Sequence, residues 1–229
     1  MRNLPTTLLA GAMTVGCIAL AGGTASAVTP TTGLSAVQAK AAADITARQN
    51  ALSGAIKKVQ ANAIITAADK STLLTTLNAD ASGLTALGSK IAGDTTTAQA
   101  QADARTIFTT YRVYALAMPQ VAYAAAADDI TGAELPALVA AQQALSAALA
   151  LQPSKNTGTV ASAMADLARQ IATVTATTTG LSATVLAFTP AQYNADHALL
   201  SGPRATLVAA QADVVTAKND IVTVTGALQ

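Results

Sequence analysis

Hydrophobic residues recur along most of the chain at alternating intervals of three and four positions. The two longest runs keep a 3.5-residue period over several turns, which is the spacing of a stripe that one helix buries against another. The pattern therefore predicts an all-α protein, an elongated antiparallel bundle with coiled-coil-like packing. The two runs are Val160, Met164, Leu167, Ile171, Val174, Thr178, Leu181, Val185 and Leu207, Ala210, Val214, Ala217, Ile221, Val224, Leu228.

The residues at the ends of these patterns divide the chain into helices. Thr66 stands three residues before Asp69, as in a helix N-cap, and Thr189-Pro190-Ala191-Gln192 has the residues of a capping box with proline at the first helical position. Gly93-Asp94 pairs a helix-ending glycine with a residue that can cap the next helix. The joints are short, as between antiparallel neighbours. We predict about six helices, at roughly 33–62, 67–92, 95–128, 132–151, 157–187 and 190–228.

Prolines are expected to interrupt two of these helices and to affect where a third begins. Proline lacks a backbone donor and clashes with the preceding turn. Gly202-Pro203 therefore predicts a break or kink in the first third of the last helix, and Pro119 predicts a bend in the third. Pro136 allows the fourth helix to begin a few residues to either side of position 132.

The first 27 residues have the parts of a secretory signal peptide. Arg2 supplies the positive end, an apolar run follows that is too short for a membrane span, and Ala25-Ser26-Ala27 is a small-x-small cleavage signal. We predict cleavage between Ala27 and Val28, a short linker over 28–32 and a single helical-bundle domain over 33–229. The expected location is secreted, either extracellular or associated with the cell wall.

The single cysteine lies inside this leader. Thr14-Val15-Gly16 lack the leucine that opens a lipoprotein box, so we do not expect lipid attachment at Cys17. Removal of the leader would leave a chain without a disulfide, a thiol nucleophile or a thiolate metal ligand.

Charge excludes several classes of partner. The chain has 13 basic and 12 acidic residues, and removal of Arg2 leaves 12 of each. Lys57-Lys58 is the only adjacent basic pair, whereas nucleic-acid binding requires clustered basic residues with aromatic ones among them. We expect no nucleic-acid partner. We also predict that no apolar segment after the leader is long enough to span a membrane.

Groups able to carry out catalysis or bind a metal are sparse. His197 is the only histidine, and neither a G-x-S-x-G turn nor a set of metal ligands accompanies it. Asp128-Asp129 is the only adjacent acidic pair, which we expect to cap the following helix rather than to bind a cation. Catalytic residues, metals and cofactors are therefore not expected.

One segment concentrates the bulky and charged side chains. Three of the four tyrosines lie within residues 110–129, close to Arg112 and Pro119. On a continuous helix Tyr111 and Tyr114 would share one stripe beside Arg112, with an acidic group from another helix holding the arginine. These side chains could form a packed, hydrogen-bonded belt or a polar pocket beside the kink. The candidate ligand-binding residues are Tyr111, Arg112, Tyr114 and Asp128.

Two segments resemble a known family. The first runs from Ile107 to Leu116 around Tyr111-Arg112-Val113-Tyr114, and is followed by Pro119-Gln120 and by Ala126-Ala127-Asp128; the second is Phe188 to Ala195. They resemble an uncharacterised family of secreted, mainly actinobacterial proteins. The resemblance covers most of the mature chain and implies secretion and an all-helical fold. It offers no catalytic residue to carry over.

These observations favour an exported, non-enzymatic cell-envelope or extracellular protein that acts through protein or cell-wall contacts. The alternative is a ligand-binding helical bundle with its polar pocket at the Tyr–Arg segment. An enzyme ranks third, because no motif brings acid and base groups together. The partner protein or wall component is not identified by the sequence, which leaves self-association open.

Overall fold

The computed structural model describes residues 33–229, which are helical with no strand among them. The prediction of an all-α helical bundle is thereby confirmed. The predicted signal peptide, Cys17, the cleavage site between Ala27 and Val28 and the linker over 28–32 lie outside the described residues.

The helices follow the predicted segments, but several are divided. The first two correspond directly to prediction, as α1 and α2. The described part of the chain contains α1 (Leu34–Ala61), α2 (Ala67–Gly93), α3 (Thr97–Thr109), α4 (Met118–Asp129), α5 (Leu135–Leu151), α6 (Gly158–Thr178), α7 (Leu181–Leu186), α8 (Pro190–Ala195) and α9 (Ser201–Leu228).

Capping side chains fix several of these boundaries. Thr66 accepts a hydrogen bond from the backbone N–H of Asp69, and Thr189 forms the complete capping box with Gln192, as predicted. The prediction for Asp94 was wrong, because Thr96 caps α3 by accepting from the backbone N–H of Gln99. Asp94 instead follows the last residue of α2 in an extended conformation.

Three predicted helices are interrupted. The segment predicted over 95–128 breaks after Thr109, and the segment over 157–187 breaks at Gly180, whose φ of 71° lies in the left-handed region. The last predicted helix is divided by a non-helical turn between Ala195 and Ser201. Hydrophobic periodicity continues across these breaks, which is why the pattern alone did not show them.

The predicted gap between the third and fourth helices was also wrong. The chain passes from α4 to α5 through a π-helical turn, Ile130–Glu134, without leaving the helix. A second π-helical turn, Val113–Ala117, precedes α4. Each turn ends two residues before a proline, Pro119 or Pro136, whose ring would clash with a carbonyl four residues earlier, inside the wider turn. The helix therefore accommodates both prolines by widening into a π-helical turn before each of them.

Pro203 does not kink the interior of the last helix. It lies in the first turn of α9, where the backbone N–H groups have no partner within the helix and proline costs little. The predicted interruption occurs before it, in the turn over 196–200.

The buried hydrophobic residues form two clusters. The first is built by α1, α2 and α3 with the start of α4, and includes Leu52, Leu77 and Ile107. The second is built by the end of α4 with α5, α6 and α9, and includes Leu167 and Val214. The predicted stripe on α9 and the part of the other stripe that lies on α6 face this second cluster, where α6 packs against α9. Alanine at positions such as 163, 210 and 217 lets these helices approach closely.

One helical stretch, Thr97–Leu151, is long and apolar enough to cross a membrane, by length and composition only. Length and composition are weak evidence, because core helices pass the same test. This stretch also contains the break at Arg112 and the buried Asp128. The absence of a span in the mature chain stays a prediction.

Candidate functional site

The Tyr–Arg segment is irregular because the chain turns sharply at Arg112. Its φ of 41° and ψ of 35° make it the only non-glycine residue in the left-handed region among residues 33–229. Such a conformation costs an L-residue about 1–2 kcal/mol, so neighbouring contacts must hold it in place. Successive side chains here consequently leave the backbone in directions that a continuous helix would not allow.

Arg112 binds to α8. Its Nε donates to Asn194 Oδ1 at 2.6 Å, and its guanidinium carbon lies 5.3 Å from the ring centre of Tyr193. Asn194 Nδ2 in turn donates to the carbonyl of Thr109, the last residue of α3, at 2.8 Å. The expectation of an acidic partner for Arg112 was therefore wrong: an amide holds it, and that amide also satisfies a free carbonyl at the helix end.

The exposed histidine of this region extends the same arrangement. His197 stands edge-on to Tyr193, with 5.3 Å between the ring centres. Its side chain lies at the surface. The ring of Tyr193 therefore contacts both Arg112 and His197.

Tyr111 points to α2. A Cβ added at Gly83 would lie 2.6 Å from Tyr111 Cε1 and 2.7 Å from its hydroxyl oxygen, so the ring packs against the bare backbone of that helix. Burial raises the pKa of Tyr111, and the charge of Asp80 adds to the effect. Burial likewise raises the pKa of Asp80 to about 6.

Tyr114 points to α1. Its hydroxyl donates to the carbonyl of Ala47 at 3.1 Å, and its ring lies 5.2 Å from the guanidinium carbon of Arg48. Phe108 covers the same guanidinium at 4.4 Å from its ring centre. Both rings are exposed, at 40% for Phe108 and 44% for Tyr114. We call Arg48, Phe108 and Tyr114 the aromatic–arginine cluster.

Arg48 is fixed within its own helix. Its Nη1 donates to the carbonyl of Asp44 at 2.9 Å and stands 4.0 Å from the Asp44 carboxylate. Burial lowers the pKa of Arg48, whereas Asp44 and Tyr114 counteract that effect, and an arginine remains charged in either case. Arg48 and Asp44 thus form a pair within one helix, and the two aromatic rings add to it.

Asp128, a residue of α4, is buried beside the start of α2. It is 4% exposed, and its Oδ2 accepts from the backbone N–H of Thr66 at 2.7 Å. Burial raises the pKa of this carboxyl, while the bond from Thr66 opposes the rise. The prediction that the acidic pair caps the following helix was wrong, because that helix is continuous with α4. Asp128 reaches α2 instead.

The structure thus separates the four predicted ligand-binding residues. Tyr111 contacts α2, Arg112 contacts α8, Tyr114 contacts α1, and Asp128 contacts the N-terminus of α2. A cavity of about 520 Å³ lies elsewhere, lined by Ser146, Leu149, Ala150, Pro153, Asn156, Ala161 and Met164. None of the four lines it. The described chain contains no group of three His, Cys, Asp or Glu residues able to hold a metal ion.

Sequence reasoning missed two participants for different reasons. Arg48 stands 60 positions before Phe108, and nothing in its own segment points to aromatic partners. Asn194, by contrast, lies in the second of the two segments singled out from the sequence, and it contacts Arg112 in the first. Gln120 of the first segment likewise donates to the carbonyl of Phe188, at 2.9 Å. The two segments that the sequence analysis singled out therefore contact each other.

Comparison of the chain with protein-family models, with curated proteins and with solved structures finds no match.

Proposed function

We propose that this is an exported, non-enzymatic cell-envelope or extracellular protein that binds a partner protein or wall component through the aromatic–arginine cluster. The observation that carries the proposal is the exposure of Phe108 and Tyr114, whose rings both lie against a fixed guanidinium. Large rings normally lie in the core of a protein so poor in them: the chain has two phenylalanines, four tyrosines and no tryptophan.

The cluster is held in position before any partner arrives. Arg48 is bonded to Asp44, and the Tyr114 hydroxyl is bonded to the carbonyl of Ala47. Rigid tyrosine and arginine side chains give contact area at a low cost in conformational entropy, which is why they dominate the energetics of many interfaces. The arrangement favours a role in binding.

The chemistry of the cluster favours partners with an apolar face. The Arg48 side chain is only 11% exposed, so its charge is largely covered by its own neighbours. What a partner meets is the surface of two exposed rings, suited to an apolar side chain or to the flat face of a sugar. The proposal therefore does not require an anionic partner.

The test is retention of the purified protein by cell walls isolated from the producing cells. Phe108→Ala with Tyr114→Ala should lower retention by about tenfold, since truncating a central aromatic pair removes most of such a contact. The matched control is Leu151→Ala, which removes a side chain that is 85% exposed elsewhere on the protein. Thermal unfolding of each variant shows whether it is folded.

Each result has a definite meaning. Loss of retention in the double variant, with Leu151→Ala unchanged, supports the proposal. Equal retention of all folded forms overturns the assignment to this cluster. Fractionation of the producing cells with intact mass measurement tests export separately, because the proposal expects a chain beginning at Val28 in the medium or wall. Turnover that survives repurification in a hydrolytic screen would overturn the non-enzymatic assignment.

A further inference from the structure

The outer face of α9 carries three exposed valines at an interval of seven residues. Val208 is 65% exposed, Val215 51% and Val222 54%. They are half of the six large hydrophobic side chains that are exposed in the described residues; Phe108 and Tyr114 belong to the aromatic–arginine cluster, and Leu151 stands apart. A regular row of exposed valines needs a physical reason, because isolated exposed hydrophobics do not repeat in this way.

The valines belong to a second stripe with the spacing of a coiled coil. The positions between them, at steps of four and three, are occupied by small or polar residues that are also exposed. A two-stranded coiled coil has this spacing, with side chains of one helix inserted between those of the other. We call this stripe the valine seam: Val208, Ala212, Val215, Asn219, Val222 and Gly226.

The seam is distinct from the face that α9 buries. The buried residues Leu207, Val214 and Val224 face the second core cluster, and on a helix the seam lies about 150° from them. The corresponding outer positions of α6 hold alanine and threonine, such as Ala165, Ala172 and Thr175. Valine is therefore not the general outer residue of this bundle. The core packing of α9 leaves its seam open to another helix.

We propose that the valine seam is the contact between two copies of this chain, whose α9 helices pair in parallel. Asn219 favours a second copy of the chain as the partner and a parallel direction of pairing. In a parallel pair it faces Asn219 of the second copy, and the two amides can bond to each other. In an antiparallel pair centred on the seam it would face a valine, leaving a polar group buried without a partner.

The flanking charges permit two identical copies to meet. In a parallel pair the residues beside the seam face each other as Gln211 with Thr216 and Lys218 with Thr223, so no like charges are opposed. Lys218 is also paired with Glu134 of its own chain at 2.7 Å, and the carboxylate offsets the positive charge. The surface is therefore compatible with a copy of itself.

The size of the seam sets the expected strength of pairing. Residues 208–226 span about 27 Å of helix, and a contact one helix wide over that length buries on the order of 1,000 Å² in total, the lower limit for specific interfaces. The dimer should accordingly depend on concentration, with dissociation in the micromolar range or weaker. This inference is independent of the proposed wall or protein contact.

Sedimentation equilibrium from micromolar to millimolar concentration tests the interaction. Val215→Asp with Val222→Asp should weaken dimerisation by about tenfold or more, since it places like charges in the seam. Ala165→Asp with Ala172→Asp repeats the seven-residue spacing on the outer face of α6 and should leave dimerisation unchanged. All four substituted residues are exposed, so the variants should fold.

Cysteine crosslinking tests the direction. With Cys17→Ser in the background, Val222→Cys should form a disulfide-linked dimer on oxidation, because equivalent positions are adjacent only in a parallel pair. Ala172→Cys on α6 should not. The proposal is overturned by a chain that stays monomeric, by a dimer unaffected by the aspartates, or by a dimer in which Val222→Cys forms no crosslink. It is also overturned if the aspartates abolish only wall retention, which assigns the seam to another partner.

Discussion

The ring of Tyr111 packs directly against Gly83 of α2, so that a methyl group at position 83 would stand 2.6 Å from Tyr111 Cε1. Alanine in a helix interior normally gains about 1 kcal/mol over glycine. At this position the ring has to move, which costs about 1–3 kcal/mol in a packed site. The glycine is therefore required by its neighbour.

Gly83→Ala should lower the free energy of unfolding by about 1 kcal/mol, because the displaced ring outweighs the gain in helix propensity. Urea denaturation measures it. The matched control is Gly54→Ala in α1, where an added Cβ meets no atom within 4 Å and should stabilise by about 0.5–1 kcal/mol. Equal stabilisation by both changes would show that the Tyr111 ring yields without cost. Tyr111→Ala should make Gly83→Ala stabilising.

The left-handed backbone at Arg112 predicts that a glycine variant is more stable than an alanine variant, the reverse of the usual order in a helix. Its φ of 41° favours glycine, so Arg112→Gly should be more stable than Arg112→Ala by about 1 kcal/mol, although both lose the bond to Asn194. Arg105, exposed in the interior of α3, provides the control. At position 105 the alanine variant should be more stable than the glycine variant by about 1 kcal/mol. The same order at both positions in thermal unfolding would refute the left-handed conformation.

Asp128 should stabilise the start of α2 through its acceptor oxygen. Asp128→Ala leaves the N–H of Thr66 without its partner and should lower the free energy of unfolding by about 2 kcal/mol. Asp128→Asn keeps an acceptor and removes a buried carboxyl, so its loss should be smaller. Asp129→Ala, next in the helix, should cost less than Asp128→Ala. Chemical denaturation that ranks Asn no better than Ala would indicate that the charge, rather than the acceptor, matters.

The raised pKa of Asp80 predicts the direction in which folding stability changes with pH. Its pKa is raised to about 6 by burial, above the value of about 4 in an unfolded chain. The folded state therefore holds the proton more tightly, and the contribution of this group to stability is greatest below pH ~4 and is lost as the pH rises through about 6.

Asp80→Asn should raise the free energy of unfolding at pH 7 by about 1 kcal/mol, a figure reduced for the solvent that reaches this half-buried group. The gain should shrink as the pH falls from about 6 to about 4. Urea denaturation at several pH values measures both effects. A constant difference between the two proteins across this range would contradict the raised pKa.

Periodicity and capping chemistry were sufficient to predict the helical fold and several helix ends. The stripe from Leu207 to Leu228 faces the core, and Thr189 with Gln192 forms the predicted capping box. These are local properties, with partners within four residues. The π-helical turns before Pro119 and Pro136 were not predicted, because proline can also end or bend a helix.

The candidate site depended on distant contacts. Arg112 finds Asn194 82 positions later, and Asp128 finds Thr66 62 positions earlier. Neither pair follows from spacing along one helix, and the assumption of a continuous helix placed Tyr111 and Tyr114 on one face. The valine seam shares its periodicity with the buried stripe of α9, and only the exposure of each side chain separates the two.

The composition of the two hydrophobic clusters also determines when each can form during synthesis. The buried members of the first run from Val37 to Ala124, so they have all been made when little more than half of the chain is complete. The second requires residues as late as Val224 to cover residues as early as Ala127. A ribosome delivers the chain from its N-terminus, and segments that are complete can fold first. The growing polypeptide can therefore bury its first cluster before α9, the helix that covers α5 and α6, has been synthesised.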